Sequence, residues 1–157
     1  MQKITTFLWF DDQAEDAARF YTSIFKHSEI TRLTHYGPDM PQPEGSVMTV
    51  SFELEGQEFI ALNGGAHYKF NPAISLFVNC ETQAEVDAYW DKLVEGGKPI
   101  ACGWLEDRYG LCWQIVPRQM MEMLHGKDQV RTNRAMQAMM KMVKLDLAEL
   151  QRAYDGA

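Results

Sequence analysis

ISLFVNCETQAEVDAYWDKLV, residues 74–94, reads as a strand that runs into an amphipathic helix. In its helical part Val86, Tyr89, Trp90, Leu93 and Val94 fall at i, i+3, i+4, i+7 and i+8, the stripe of a helix lying on a sheet. The same stripe appears 69 residues earlier at Ala17, Phe20, Tyr21, Ile24 and Phe25, behind the apolar run Phe7, Leu8, Trp9 and Phe10. Both helices open on a capping-box pattern, Asp12 with Glu15 and Thr82 with Glu85, in which side chains satisfy orphan amides of the first turn. The spacing predicts one strand–helix module used twice.

Working outward, residues 3–10 suit a strand, 13–25 the first helix and 29–36 a second strand. Residues 37–45, GPDMPQPEG, hold three prolines and two glycines and form a loop long enough to act as a rim or flap. Residues 46–54 alternate as a strand, Glu55 and Gly56 make a turn, and residues 59–62 return as a hairpin partner. After the second helix, Gly96 and Gly97 supply a left-handed C-terminal cap. Residues 100–105 then read as a strand, 106–110 as a turn and 111–116 as a last strand stopped by Pro117. No strand is evident between the second helix and Ile100.

The tail from Gln119 holds seven of the ten methionines. Met136, Met140, Val143, Leu147, Leu150 and Tyr154 recur at 4-3-4-3-4 spacing, which predicts one long helix over residues 132–154 with a single apolar face. Such a face packs on the chain's own sheet or on a partner subunit, since Met is an adaptable gap-filler.

At 157 residues and 46% hydrophobic, the chain can bury a full core as one domain: modules at 1–65 and 72–118, and a helical extension at 119–157. The net charge of −7 is uneven, with nine Lys/Arg against seventeen Asp/Glu up to residue 118 and six against five beyond it. An acidic body argues against nucleic acid and anionic membrane as partners. Cys80, Cys102 and Cys112 form no CxxC pair, which fits a reducing, cytoplasmic setting. No run of eighteen apolar residues occurs.

FLWFDDQAEDAARFY, ALNGGAHYKFNPAISLFVNC and CGWLEDRYGLCWQIVP, followed by KMVKLDLAEL, together resemble the PhnB-like branch of the glyoxalase/bleomycin resistance/dioxygenase (vicinal oxygen chelate) superfamily. More narrowly, the chain is similar to the proteins labelled 3-demethylubiquinone-9 3-methyltransferase. The resemblance implies an α+β fold of tandem βαβββ modules forming a curved mixed sheet, a cup around a small-molecule site, with a C-terminal helix and usually a homodimer.

It also implies where a divalent metal would be held, since the superfamily uses His and Glu side chains from the sheets with positions left open for substrate oxygens. The matching positions are at or beside Thr6, near Ala61, at Ser75 and at Gln114. None is His, Asp, Glu or Cys, and a hydroxyl, a methyl and a carboxamide bind divalent cations weakly. His27, His35, His67 and His125 fall near helix ends or loops, so neither metal nor cofactor is expected. Methyl transfer from an adenosyl cofactor would need a glycine-rich strand-to-helix turn. The two turns read FDDQAED and NCETQAE, without glycine.

Strand alternation places Cys112 and Gln114 on one face, as it does Thr6, Leu8 and Phe10, and Ser75 and Phe77. With Asn63, Cys102 and Trp104, and with Tyr68 and Phe70 at the rim, they make an apolar wall bearing a few amides and hydroxyls, suited to a small neutral ligand. The acidic cluster Asp11, Asp12, Glu15 and Asp16 complements the dipole of the first helix. Three readings follow: a metal-independent small-molecule-binding protein, a metal-dependent lyase, isomerase or dioxygenase with unexpected ligands, and a module that sequesters its ligand without turnover.

Overall fold

The computed structural model describes residues 2–157, which divide into two compact units, one up to Phe70 and one from Asn71 to Ala157. Each unit builds a four-stranded mixed sheet, and the described residues hold five helices in all, an α+β fold.

The first unit runs β1 (Thr6–Phe10), α1 (Ala14–Ile24), β2 (Glu29–His35), β3 (Val47–Leu54) and β4 (Gln57–Asn63). Its sheet order is β1-β4-β3-β2, with β1 parallel to β4 and the other pairs antiparallel. Directly paired residues share a face. Leu8, Ala61 and Val50 therefore stand together, as do Thr6, Phe59 and Phe52, and this is the face covered by α1: Phe52 stacks on Phe59 and lies 6.2 Å from the Tyr21 ring. Val50, Phe52 and Ala61 are fully buried. A buried Phe or Val contributes on the order of 2 kcal/mol.

The start of α1 departs from the sequence expectation. Asp12 makes no capping box; the N-cap is Gln13, without a side-chain bond. Asn63 at the end of β4 does the work, its Oδ1 accepting the Ala14 N–H at 2.8 Å while its Nδ2 donates to the Val47 carbonyl at 3.1 Å. A cap that comes from 49 residues away cannot be read from local pattern.

The second unit repeats the plan as β5 (Ser75–Cys80), α2 (Gln83–Val94), β6 (Lys98–Pro99), β7 (Trp104–Glu106) and β8 (Cys112–Pro117), in the order β5-β8-β7-β6. The strand not evident in the sequence is the two-residue β6, and the strand expected from Ile100 begins only at Trp104. Residues 100–103 instead form a turn closed by Trp104 N–H to Ala101 O at 3.0 Å, with Cys102 and Gly103 both left-handed. Here the expected cap holds: Thr82 Oγ1 accepts the Glu85 N–H at 3.2 Å, and the Glu85 carboxylate takes the Glu81 N–H at 2.7 Å. Gly96 adopts φ +79° after the helix. Gly97 is required for another reason, since a Cβ there would lie 2.0 Å from the Glu106 carbonyl oxygen.

The tail is not one helix. It forms α3 (Arg118–Leu124), α4 (Gln129–Met139) and α5 (Leu147–Asp155). Asp128 caps α4 through the Val130 and Arg131 N–H groups, and Asp146 caps α5 through the Glu149 N–H at 3.0 Å. The D-x-x-E pattern at Asp146 and Glu149 announces this restart in the sequence, overridden there by the apolar spacing. Val116, Met120, Met123, Ala135, Leu145 and Leu150 form a small core of their own, while Met136, Met140 and Val143 stay exposed. No helix among the described residues is long and apolar enough to cross a membrane.

Candidate functional site

The sheet of the second unit brings together five of the residues singled out from the sequence. Ser75 pairs with Cys112 and Cys112 with Glu106; on the next row Phe77 pairs with Gln114 and Gln114 with Trp104. These residues occupy the face opposite α2, because the alternate residues, Leu105, Trp113 and Ile115, are buried with Val86, Trp90 and Leu93 of the helix. Gln114 Nε2 donates to Ser75 Oγ at 2.9 Å, a carboxamide bound to a hydroxyl. Phe77, 42% exposed, and Trp104 stand on either side of that amide along the row.

Glu106 was missed, although alternation from Trp104 is enough to find it. It puts a carboxylate on the same face, 3.8 Å from Lys98 Nζ. Cys112, between Glu106 and Ser75, is fully buried, and its thiol pKa is pushed up, first by burial and then by the charges of Glu106 and Asp107. Cys80 is pushed up to about 12 by burial and by Glu85. Neither thiol is a poised nucleophile. Cys102 lies apart in the left-handed turn before β7.

In the first unit the expected pocket residues fall on the other side of the sheet. Thr6 and Leu8 share the face beneath α1, with Leu8 buried, and Asn63 is engaged as the cap of that helix, its carbonyl also accepting the Tyr36 hydroxyl. Ala61 is fully buried there too. The reason is a single residue. Three residues, 11–13, connect β1 to α1, but only two, 81–82, connect β5 to α2. The helices therefore repeat at 69 residues and the strands at 70, and a slip of one turns every side chain to the opposite face. By ladder position Phe7 corresponds to Phe77, Thr5 to Ser75 and Ile60 to Gln114. The face away from α1 carries Phe7, 55% exposed, Trp9, Ile60, Leu62, Thr49 and Ser51. Tyr68 meets the Trp9 ring edge-on at 5.0 Å, and Phe70 meets Phe10 in the same way at 5.2 Å. Trp9 Nε1 donates to the Gly65 carbonyl at 2.8 Å, and a Cβ on Gly64 would lie 2.4 Å from the indole.

At the mouth of α1, Asp12, Glu15, Tyr36, Gln42 and Asn63 border a cleft of about 460 Å³. Its carboxylates sit at the positive end of the helix dipole.

Set beside known proteins, the chain matches over residues 2–116 the family model described as 3-demethylubiquinone-9 3-methyltransferase. The chain belongs to that family. It is PhnB-like, similar at 41% identity to a Bacillus cereus protein described as a putative 3-demethylubiquinone-9 3-methyltransferase, PhnB protein. That match covers 74% of this chain and 99% of the other, with a TM-score of 0.68. A Pseudomonas aeruginosa protein (18% identity, 74% of this chain and 98% of that one, TM-score 0.62) shares the fold. So does the genomically encoded fosfomycin resistance protein of Listeria monocytogenes, solved with Mn(II) and sulfate (15% identity, 72% and 90% covered, TM-score 0.50). No curated protein matches. The family match stops at residue 116, so α3, α4 and α5 lie outside it, whereas the sequence resemblance extends to the terminal helix.

Two chemistries attached to this PhnB-like family can be tested on the residues. For a divalent metal, the second unit offers Ser75 and Gln114 on this face, a hydroxyl and a carboxamide, and the first unit offers Thr5 and Ile60 at the corresponding positions of its own sheet, a hydroxyl and an alkyl chain. Ser75 and Gln114 are hydrogen-bonded to each other. Among the described residues no group of three or more His, Cys, Asp or Glu is placed to hold a metal ion. These residues do not fit the metal that the sequence resemblance implies. For methyl transfer, Gly64 and Gly65 follow β4 against Trp9, and Gly96 and Gly97 follow α2, so no glycine-rich turn leads a strand into a helix. The name of the family is not supported as an activity by this structure.

Proposed function

We propose that this PhnB-like protein binds a small, uncharged molecule with a flat ring on the free face of its second sheet, without a metal ion. The observation that carries the reading is the bond from Gln114 Nε2 to Ser75 Oγ, at positions where the superfamily places metal ligands. A carboxamide tied to a hydroxyl keeps its own carbonyl oxygen to offer a donor on the ligand. Phe77 and Trp104 flank it and supply apolar area with a preferred stacking geometry. Glu106, on the next row, would accept a hydroxyl or amine proton.

Benzamide is a suitable probe, being neutral, flat and amide-bearing. Titrated at millimolar concentration, it should move the side-chain amide resonances of Gln114 and the ring signals of Phe77 and Trp104, and Gln114→Ala should abolish the response. Saturable one-to-one binding of Mn(II) or Zn(II) by calorimetry would overturn the metal-free reading and favour a metal-dependent lyase, isomerase or dioxygenase. Recovery of unaltered ligand after long incubation separates a sequestering module from an enzyme.

The same reading takes the protein as a cytoplasmic homodimer with no nucleic-acid or membrane partner. Exposed Met140 and Val143, at 68% and 48%, favour an association surface on the extension. Light scattering at micromolar concentration should give twice the monomer mass of 18.0 kDa. The monomer mass itself would overturn the dimer.

A further inference from the structure

We infer that the C-terminal hairpin, α4 and α5 with their connection at 140–146, is a clamp that sets the pose of Trp104. The turn before β7 puts two consecutive residues in the left-handed region, Cys102 at φ +56° and Gly103 at φ +86°. For a side chain as large as Cys that conformation is unfavourable by about 1 kcal/mol or more and persists only where its surroundings enforce it.

What enforces it comes from the extension. Cys102 N–H donates to the Met142 carbonyl and Gly103 N–H to the Val143 carbonyl, both at 2.8 Å. Leu145, fully buried, seats against Gly103 so closely that a Cβ on the glycine would lie 2.7 Å from Leu145 Cδ1. From the other side, Gly103 O accepts the Ile115 N–H of β8 at 2.8 Å. The turn is thus held between β8 and the 142–145 segment, and Trp104 follows it directly.

The clamp is itself fastened to α2. Gln83 at the first helical position grips the backbone of the connection with both ends of its amide, Nε2 donating to Leu145 O at 3.0 Å and Oε1 accepting the Leu147 N–H at 2.7 Å. Lys144 pairs with Asp87 one turn further along, at 2.9 Å. All of these anchors on the extension lie beyond residue 116, where the family match ends. Trp104, one of the two aromatic residues of the proposed ligand face, is therefore positioned by residues the family match does not include. The consequence for ligand choice rests on the reading of that face given above; the clamp does not.

Gln83→Ala cuts the fastening without altering the turn, and Leu145→Ala removes the side chain seated against Gly103. In the full chain without ligand, hydrogen exchange at the Cys102 and Gly103 amides should rise at least tenfold in either variant. In protein carrying 5-fluorotryptophan, the Trp104 fluorine resonance, assigned with Trp104→Phe, should shift or broaden while that of Trp9 stays in place. Gln83→Glu, which keeps the acceptor for Leu147 and loses the donor, should give an intermediate response. Unchanged exchange at Cys102 and Gly103 in both variants would remove the clamp. Faster exchange with an unmoved Trp104 resonance would remove its positioning role. Because neither readout uses a ligand, a failed benzamide titration leaves this test intact.

Discussion

The first module turns its hairpin on left-handed backbone, with one long bond from the Glu55 N–H to Ser28 Oγ at 3.4 Å; the second turns it on a buried carboxylate. Between β3 and β4 the chain reverses at Glu55 and Gly56, both left-handed at φ +49° and +79°, the two-residue geometry that matches strand twist. Between β7 and β8 the reversal runs through Asp107, 2% exposed, whose Oδ1 accepts the Tyr109 and Leu111 N–H groups and whose Oδ2 accepts Trp113 Nε1 at 2.8 Å. The helix starts differ in the opposite sense. The second helix caps itself with Thr82, while the first borrows Asn63 from a distant strand. One topology thus tolerates different chemistry at each joint, and the modules should respond differently to equivalent damage.

The strongest contrast lies in the hairpins. Asp107→Ala leaves two backbone amides and an indole N–H without their acceptor and should cost on the order of 4 kcal/mol, read as a lowered urea midpoint. Glu55→Ala, its counterpart in the first module, should cost less than about 1 kcal/mol, since its carboxylate has no part in the turn. Equal losses would erase the contrast. Next come the close approaches. Gly97→Ala drives a methyl into a carbonyl of β7 that cannot swing aside, at about 2–3 kcal/mol, whereas Gly64→Ala meets the Trp9 ring, which can rotate, at about 1–2 kcal/mol. A change in Trp9 fluorescence should accompany the second and not the first.

The caps are smaller. Asn63→Ala should cost about 1–2 kcal/mol and Thr82→Ala about 1 kcal/mol, because Asn63 also ties Val47. The smallest effect belongs to the ion pair of the extension, for which the first module has no counterpart. The Asp87 carboxyl is held below the usual carboxylate range, first by its hydrogen bond from Lys144 and then by that from Gln83, and Lys144 is raised chiefly by the same bond. A lowered carboxylate stabilises above its unfolded pKa, so the contribution holds from neutral pH down to about pH 4 and is lost as pH falls through the lowered value. A raised lysine loses its share only as pH climbs past about 10.5. Both side chains are roughly two-fifths exposed, so Asp87→Asn should cost about 0.5 kcal/mol or less at pH 7 and less as the carboxyl protonates in acid, with the difference shrinking in 1 M salt.

Local patterns in the sequence account for much of this. The two apolar stripes, the Thr82–Glu85 cap, the proline-rich loop and the strand pairs were all written in neighbouring residues. So were the pairs Ser75 with Phe77 and Cys112 with Gln114, because a strand's period of two needs no tertiary information, whereas their common row depends on the β5–β8 register. What escaped was set by distance. Asn63 caps from across the sheet, and β6 is two residues long because only pairing with β7 defines it. The tail breaks at residue 140 because the carbonyls of Met142 and Val143 are taken by Cys102 and Gly103. The face of β1 differs from the expectation because the repeat is plainest in the helices, whose phase says nothing about a strand one residue out of step.

That odd residue between β1 and α1 has a practical side. The same architecture closes with either two or three amino acids at this joint, so the link from strand to helix is a place where length can vary while both layers stay intact. A protein engineer wishing to insert a tag or a hinge into either half would do well to begin there, and to leave the glycine-packed corners alone.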